Sequence, residues 1–270
     1  MAPALSIVTV CLNDREGLAR TLESVERQGF GDLELVVVDG GSTDGSLEVL
    51  RAHAPRIARW VSEKDGGVYQ AQNKGAAMAG GDWLLFLNAG DHLAADDALE
   101  RLFAGLGADE PELVYCDVLY EKRGAVRRST PPDRLLLPYL LRSTLCTQAT
   151  LFRRSTFARL GGYDASLRIV ADYDLMMRIL LAERGRARKV PVTLAVHRQD
   201  GLSTRPENAE RVAREREQVQ ARWLPAPVRE LHADWLALRE RTPGRRLRAF
   251  FRPLARLLRD GVRRLRGRSA

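Results

Sequence analysis

Two hydrophobic periods alternate along the first part of the chain. Leu5–Cys11 is a short run rich in β-branched residues, after which Leu18, Leu22 and Val25 recur at helical spacing. Leu33–Val38 is a largely apolar run of the kind that fills a buried parallel strand. Ser42 or Thr43 is placed to cap a helix carrying Leu47 and Leu50. The pattern then predicts a strand around Ile57–Val61, a helix near Val68–Ala79, a third buried run at Trp83–Leu87 and a helix over Ala98–Leu106. Strands alternating with helices in this way predict an α/β domain with a mostly parallel central sheet.

From residue 113 the alternation loosens. A strand-like Leu113–Tyr120 is followed by a polar stretch at Ser129–Asp133, a helical pattern from Ala171 to Leu181 and a strand at Pro191–Val196. Glu207–Trp223 reads as a charged helix, with Pro225 and Pro227 as punctuation behind it. These shifts divide the chain into 1–112, 113–222 and a tail, 223–270.

Charge sharpens that last boundary. The 270 residues carry a formal charge of +8, but residues 239–270 hold twelve arginines against Glu240 and Asp260, a net of +10. The remaining body is therefore at −2, which argues against a nucleic-acid-binding body. In the tail, Leu247, Phe250, Phe251, Leu254, Leu257, Leu258, Val262 and Leu265 recur at helical spacing among arginines. Over residues 245–266 this is a basic amphipathic pattern suited to an anionic membrane surface, with Pro253 expected to kink it. A helix docked on the body or on a second subunit is the competing reading. The three cysteines, Cys11, Cys116 and Cys146, form no disulfide or metal framework, and no secretory signal or membrane-spanning run is apparent. The expected location is cytoplasmic, peripheral at the inner face of the cell membrane.

In open α/β sheets ligands bind beyond the carboxyl ends of the strands. Asn13 and Asp14 follow the first predicted strand, Asp39-Gly40-Gly41-Ser42-Thr43-Asp44-Gly45 the second, and Asn88-Ala89-Gly90-Asp91 the third buried run. Each segment alone reads as a turn or helix cap; together they point to a nucleotide site. Asp39 is suited to accept from a nucleobase or ribose, with Asn13 and Asn88 beside it. If a diphosphate binds, a lone carboxylate such as Asp91 suits Mg²⁺ or Mn²⁺ completed by phosphate and water oxygens. The glycine pattern of a dinucleotide fold is missing after the first strand, where Cys11-Leu12-Asn13-Asp14-Arg15 stands, and no phosphate-binding Gly-x-x-x-x-Gly-Lys loop occurs.

These segments, with Leu160-Gly161-Gly162-Tyr163-Asp164 and Ala171-Asp172-Tyr173-Asp174-Leu175 in order behind them, resemble the family 2 glycosyltransferases with the GT-A fold. The resemblance covers roughly residues 5–205, and Ser62–Tyr69 with Asn73-Lys74-Gly75 is similar to bacterial members that build surface polysaccharides. It implies an inverting transferase that moves a sugar from a nucleotide donor to a saccharide or lipid-linked acceptor. By position, Asp39 matches the nucleobase-binding acid and Asp91 the last acid of the metal motif. Asp172 matches the general base, while Asp65, Asn73 and Lys74 fall with the donor-binding residues. His197, in a loop of the type that closes the family's site, is a second candidate for the metal or diphosphate. Departures are present: Asn88 and Gly90 stand where acids are usual, Ala171 replaces the acid before the base, and Thr147 precedes Gln148 in place of histidine. For Asp172 an N-cap is the competing reading, Asp174 reads as a cap or support, and Tyr69 and Trp83 read as packing. A catalytically inactive scaffold and a sugar nucleotidyltransferase are the rival functions.

Overall fold

A computed structural model describes residues 3–107, 111–183 and 185–241. The chain divides into two units, the first ending at Trp223 and the second beginning at Leu224. The basic pattern over 245–266 lies outside the described residues.

The first unit alternates as the periodicity predicts. Strand β1 (Leu5–Cys11) leads to α1 (Arg15–Glu26), β2 (Leu33–Asp39) to α2 (Ser46–His53), and β3 (Arg59–Ser62) to α3 (Val68–Met78). Then come β4 (Trp83–Phe86), the two-residue β5 (His92–Leu93), α4 (Ala98–Leu106), and the hairpin of β6 (Leu113–Lys122) and β7 (Ala125–Ser129). Helix α5 (Leu137–Arg142), β8 (Thr150–Arg153), α6 (Arg154–Arg159), α7 (Ala171–Met177), β9 (Ala187–Arg198) and α8 (Ala209–Trp223) complete it. In the second unit α9 (Ala226–Arg241) begins behind Pro225. Pro227 falls in its first turn, where a missing N–H costs nothing, so it does not interrupt the helix.

Among the described residues nine strands form one sheet, in the order β3-β2-β1-β4-β8-β6-β9-β5, with β7 paired to β6. The first four are mutually parallel; β8 runs antiparallel to β4 and β6, and β9 runs parallel to β6. Side chains of β1 alternate between two apolar layers. Leu5 and Ile7 join Leu18 and Leu22 of α1, Leu50 of α2 and Leu99 and Leu102 of α4, whereas Val10 meets Val38 and Ala71 of α3 on the other face. Under the sheet next to β8, Phe86, Phe152, Phe157 and Tyr163 interlock with ring centroids 5.1–6.3 Å apart. Each such buried aromatic pair adds about 0.5–1.5 kcal/mol beyond area burial.

Several boundaries differ from the sequence reading. Neither Ser42 nor Thr43 caps α2: the carboxylate of Asp44 accepts the Ser46 N–H at 3.1 Å, and the Ser42 hydroxyl is turned onto Asp39. The predicted strand at Ile57–Val61 starts later, because a 3₁₀ turn over Ala54–Arg56 takes up the approach. The helix expected through Leu181 widens after Met177 into a π turn, with Glu183 N–H reaching Arg178 O at 3.0 Å.

Helix α3 lies close on the sheet because position 75 has no side chain: a Cβ there would collide with Val8 Cγ1 of β1. Gly75→Val should therefore cost about 1–3 kcal/mol through overpacking. Thermal unfolding checks this, at about 2–4 °C per kcal/mol for a domain of this size.

Candidate functional site

The parallel register places Cys11 opposite Asp39, so the segments following β1 and β2 leave the sheet side by side. Asp39 is fully buried, and its carboxylate accepts from Gly41 N at 3.1 Å, Ser42 N at 3.0 Å and Ser62 Oγ at 2.6 Å, as well as from the Ser42 hydroxyl. Those donors engage both oxygens and hold the Gly40–Asp44 loop shut. Asn13, in the left-handed region at φ 51°, pins the same loop from β1 by accepting Thr43 N–H at 2.8 Å and donating its own N–H to Ser42 Oγ at 2.8 Å. At the end of β3, Asp65 accepts Gly67 N–H at 2.8 Å, while Lys74 pairs with Glu63.

Asn73 and Asn88 take up internal partners. The Asn73 amide clamps Tyr163, accepting its N–H and donating to its carbonyl, both at 2.8 Å. This anchors the Gly161-Gly162-Tyr163 turn to α3. Asn88 Oδ1 accepts from Gln72 Nε2 at 2.9 Å. The sequence reading assigned both residues to the donor; the structure shows them joining one segment of the site to another.

Asp91 and His197 are brought together by the two-residue β5. Antiparallel pairing of His92 with Val196 lays the turn before β5 against the end of β9. Asp91, 4% exposed, accepts from both His197 Nδ1 and Arg198 N at 2.9 Å through the same oxygen, Oδ1. Its backbone carbonyl accepts the Thr21 hydroxyl at 2.6 Å, and that hydroxyl accepts Gly90 N–H at 3.0 Å. Thr21 escaped the sequence reading because a threonine inside an apolar helical pattern gives no sign of a distant partner. Burial pulls the His197 imidazole down, but the hydrogen bond and charge of Asp91 outweigh it and leave its pKa raised.

Asp172 stands across the site in the first turn of α7. Thr147 Oγ1 lies 3.2 Å from its Oδ2 and the Tyr69 hydroxyl 3.2 Å from its Oδ1. Burial raises its pKa against the opposing pull of a Tyr173 backbone contact and these two hydroxyls. Tyr69, read from sequence as packing, does pack against Tyr163 at 5.2 Å, but its hydroxyl also reaches Ile169 O at 2.5 Å and the Asp172 carboxylate. Cys146 lies next to Thr147, which is bonded to Asp172, and its thiol is pushed up to about 12, first by burial and then by the charge of Asp91, with Asp172 adding to it.

The N-cap reading of Asp172 fails. Val170 occupies the N-cap of α7, and the backbone there is satisfied from another helix. Glu215 of α8, 8% exposed, accepts Arg168 N at 3.1 Å, Ile169 N at 2.9 Å and Val170 N at 3.2 Å. Asp174 is a support, as expected: fully buried, it holds Arg178 at 2.9 Å, Arg222 at 3.2 Å and Trp223 Nε1 at 2.8 Å. Two grooves, of about 710 and 470 Å³, lie elsewhere, beside Ala187–Lys189 and Val192–Thr193 of β9.

No group of three or more His, Cys, Asp or Glu side chains with metal-ligand spacing occurs among the described residues. The Asp91–His197 pair nevertheless fits a divalent ion that keeps several water or phosphate oxygens, because Oδ1 and Nδ1, 2.9 Å apart, are spaced as neighbouring ligands of one ion that would replace the proton between them.

A parallel α/β half with acids at its strand ends, joined to a mixed-sheet half that supplies a second carboxylate, is the GT-A type of nucleotide-binding fold. The chain belongs to glycosyl transferase family 2, whose family model matches residues 6–161. It is 40% identical over 189 residues to a PGL/p-HBAD biosynthesis glycosyltransferase of Mycobacterium tuberculosis, covering 66% of this chain and 70% of that one. An uncharacterized glycosyltransferase of the same species is 35% identical, covering 67% and 70%. Among solved structures, Staphylococcus aureus TarS 1-349 in complex with UDP superposes with a TM-score of 0.62 at 17% identity, covering 73% of this chain and 60% of that one. The mannosyltransferase PcManGT of Pyrobaculum calidifontis in complex with GDP-Man and Mn²⁺ gives 0.58 at 22%, covering 79% and 61%. This chain thus spans about three fifths of the length of those solved chains.

Removing the Glu215 carboxylate would leave three backbone N–H groups without an acceptor. Glu215→Ala should lower stability by about 1–3 kcal/mol, with Glu215→Gln, which keeps one acceptor oxygen, falling between it and the unaltered protein. Denaturant unfolding measures both.

Proposed function

We propose that the protein is an inverting glycosyltransferase that moves a sugar from a nucleoside-diphosphate donor to a saccharide or lipid-linked acceptor, with Asp172 as general base. The observation that carries this reading is a pair of carboxylates near the Cys146–Thr147 segment: Thr147 is bonded to Asp172, and the Cys146 thiol feels the charge of both acids. Asp91 is tied to His197 at one strand end, and the pKa of Asp172 is raised by burial. A base that must take a proton from a sugar hydroxyl works better when its pKa is lifted towards the working pH. The Thr147 and Tyr69 hydroxyls orient the Asp172 carboxylate without neutralising it.

On the donor side, Asn13, Asp39 and Asp65 shape the loops where a nucleoside would lie, and Asp39 would reach a nucleobase by yielding one of its serine partners. Lys74, 32% exposed, is the cation of this group, and Asn73 and Asn88 set the walls around it. Asp91 Oδ1 and His197 Nδ1 would part from each other to hold Mn²⁺ or Mg²⁺ between them. When bound, such an ion supplies charge neutralisation for the departing diphosphate. The solved relatives bound to UDP, UDP-GlcNAc and GDP-Man support a nucleotide-sugar donor, and the one bound to Mn²⁺ supports the ion.

The name of the mycobacterial relative supports a biosynthetic role on a glycan-bearing product, which fits a polysaccharide or lipid-linked acceptor. No helix among the described residues is long and apolar enough to cross a membrane. Attachment to the inner face of the cell membrane is assigned to the basic pattern at 245–266, where each cation near an anionic leaflet contributes about 1 kcal/mol.

Asp172→Asn should keep donor binding while lowering transfer by about 10²–10⁴; turnover at the unaltered rate would overturn the assignment. In the unaltered enzyme activity should be lost on the acid side above the ordinary carboxylate range. Thr147→Val, which removes a hydrogen bond that favours the ionised form, should move that limb to higher pH. Truncation before Thr242 should spare transfer to a soluble acceptor and weaken binding to anionic vesicles, and equal vesicle binding would refute the membrane role.

A further inference from the structure

Three carboxylates crowd the place where a diphosphate would meet Asp91. Asp14 follows β1, Asp91 precedes β5 and Asp200 follows β9, and each is within hydrogen-bond reach of some part of Arg198. Its guanidinium donates from Nη2 to Asp14 Oδ2 at 2.5 Å and from Nε to Asp200 Oδ1 at 3.0 Å, while its backbone N–H goes to Asp91. It also lies flat against the Gly90 turn. A Cβ at position 90 would sit 2.5 Å from Arg198 Cζ and 2.7 and 2.8 Å from its terminal nitrogens. Gly90, at φ +94°, is thus the residue that leaves room for this cation.

A guanidinium has five N–H groups in a rigid fork. The two bonds to Asp14 and Asp200 use two of them, and the side chain remains 30% exposed. Without this arginine a diphosphate arriving beside Asp91 would also face the carboxylates of Asp14 and Asp200 without their cation. With it, a fixed positive charge stands one turn from the carboxylate that would hold the metal. We propose that Arg198 is a diphosphate-binding residue: its uncommitted N–H groups receive the phosphates of a nucleoside diphosphate, and its charge joins that of the ion in offsetting theirs. The φ of Gly90 already favours glycine, and the missing Cβ leaves the volume that the guanidinium occupies. This rests on the donor reading above and adds to it the residue that recognises the anionic group.

The test is calorimetric binding of UDP and GDP, with uridine and guanosine as phosphate-free references, in EDTA and in Mn²⁺. In EDTA the unaltered protein should bind one of the diphosphates more tightly than its nucleoside. Arg198→Met should lose about 10- to 100-fold of that advantage while nucleoside affinity stays constant. Arg198→Lys should keep part of it, and Gly90→Ala, which displaces the guanidinium while keeping the arginine, should behave as Arg198→Met. An arginine that only straps the three strand ends together would lower the melting temperature yet leave the diphosphate-to-nucleoside ratio within about twofold of the unaltered protein, and that result overturns the proposal. Failure of the unaltered protein to bind UDP, GDP, ADP, CDP or dTDP, even with Mn²⁺, would overturn the donor reading along with it.

Discussion

The site depends on one buried oxygen. Asp91 Oδ1 accepts both the His197 ring and the Arg198 backbone, so a single carboxylate ties the turn after β4 to the end of β9. A buried carboxylate must be met by donors, since an unpaired charge in a low dielectric is far too costly. That requirement makes the two-residue β5 sufficient. The short ladder sets the register, and the charge-assisted bonds keep two chain segments together whose side chains are more than a hundred residues apart in sequence. Thr21 of α1 braces the same turn from below, so helix, turn and strand end move as one.

Around the candidate base the protein assigns structural holding to other residues. A helix start normally recruits its own N-terminal carboxylates as caps, and a carboxylate accepting several N–H groups becomes a weaker base. Here Glu215 of α8 accepts the backbone donors ahead of α7, and Asp174 takes the arginine and tryptophan contacts. Asp172 carries little of either load: beside one backbone contact at Tyr173 it meets the Thr147 and Tyr69 hydroxyls, while burial raises its pKa. The same division appears among the asparagines. Asn13 and Asn73 use their side chains to fix loop geometry.

The parallel half was readable because its signals are local. Apolar runs bounded by polar strand ends survive intact from Leu5 to Leu106, and the Asp39 and Asp91 segments fall where the strand ends require. The second half was less readable for identifiable reasons. The β6–β7 hairpin turns on Arg123 and Gly124 at φ 51° and 78°, and arginine is not the residue that marks such a turn in sequence. Strand β9 runs from Ala187, well before the apolar stretch that announces it, because pairing with β6 and not hydrophobicity defines its first residues. Glu215 sits in a helix so rich in charge that one buried acid cannot be told from its solvated neighbours.

Sequence by itself determined the α/β character of the first half, the acids at its strand ends, the family and the candidate base, because each is a matter of residue type at short spacing. It also separated a mildly acidic body from a basic tail. Tertiary structure alone decided which polar groups are spent internally and which remain for a ligand. Asp39 and Asn73 carry the expected residue types, yet their partners lie 23 residues away at Ser62 and 90 residues away at Tyr163. Likewise Gly90 reads in sequence as a missing acid, and only the fold shows the Arg198 guanidinium lying in its place. Hydrogen bonds and excluded volume act through space, so the chain order that encodes them does not display them.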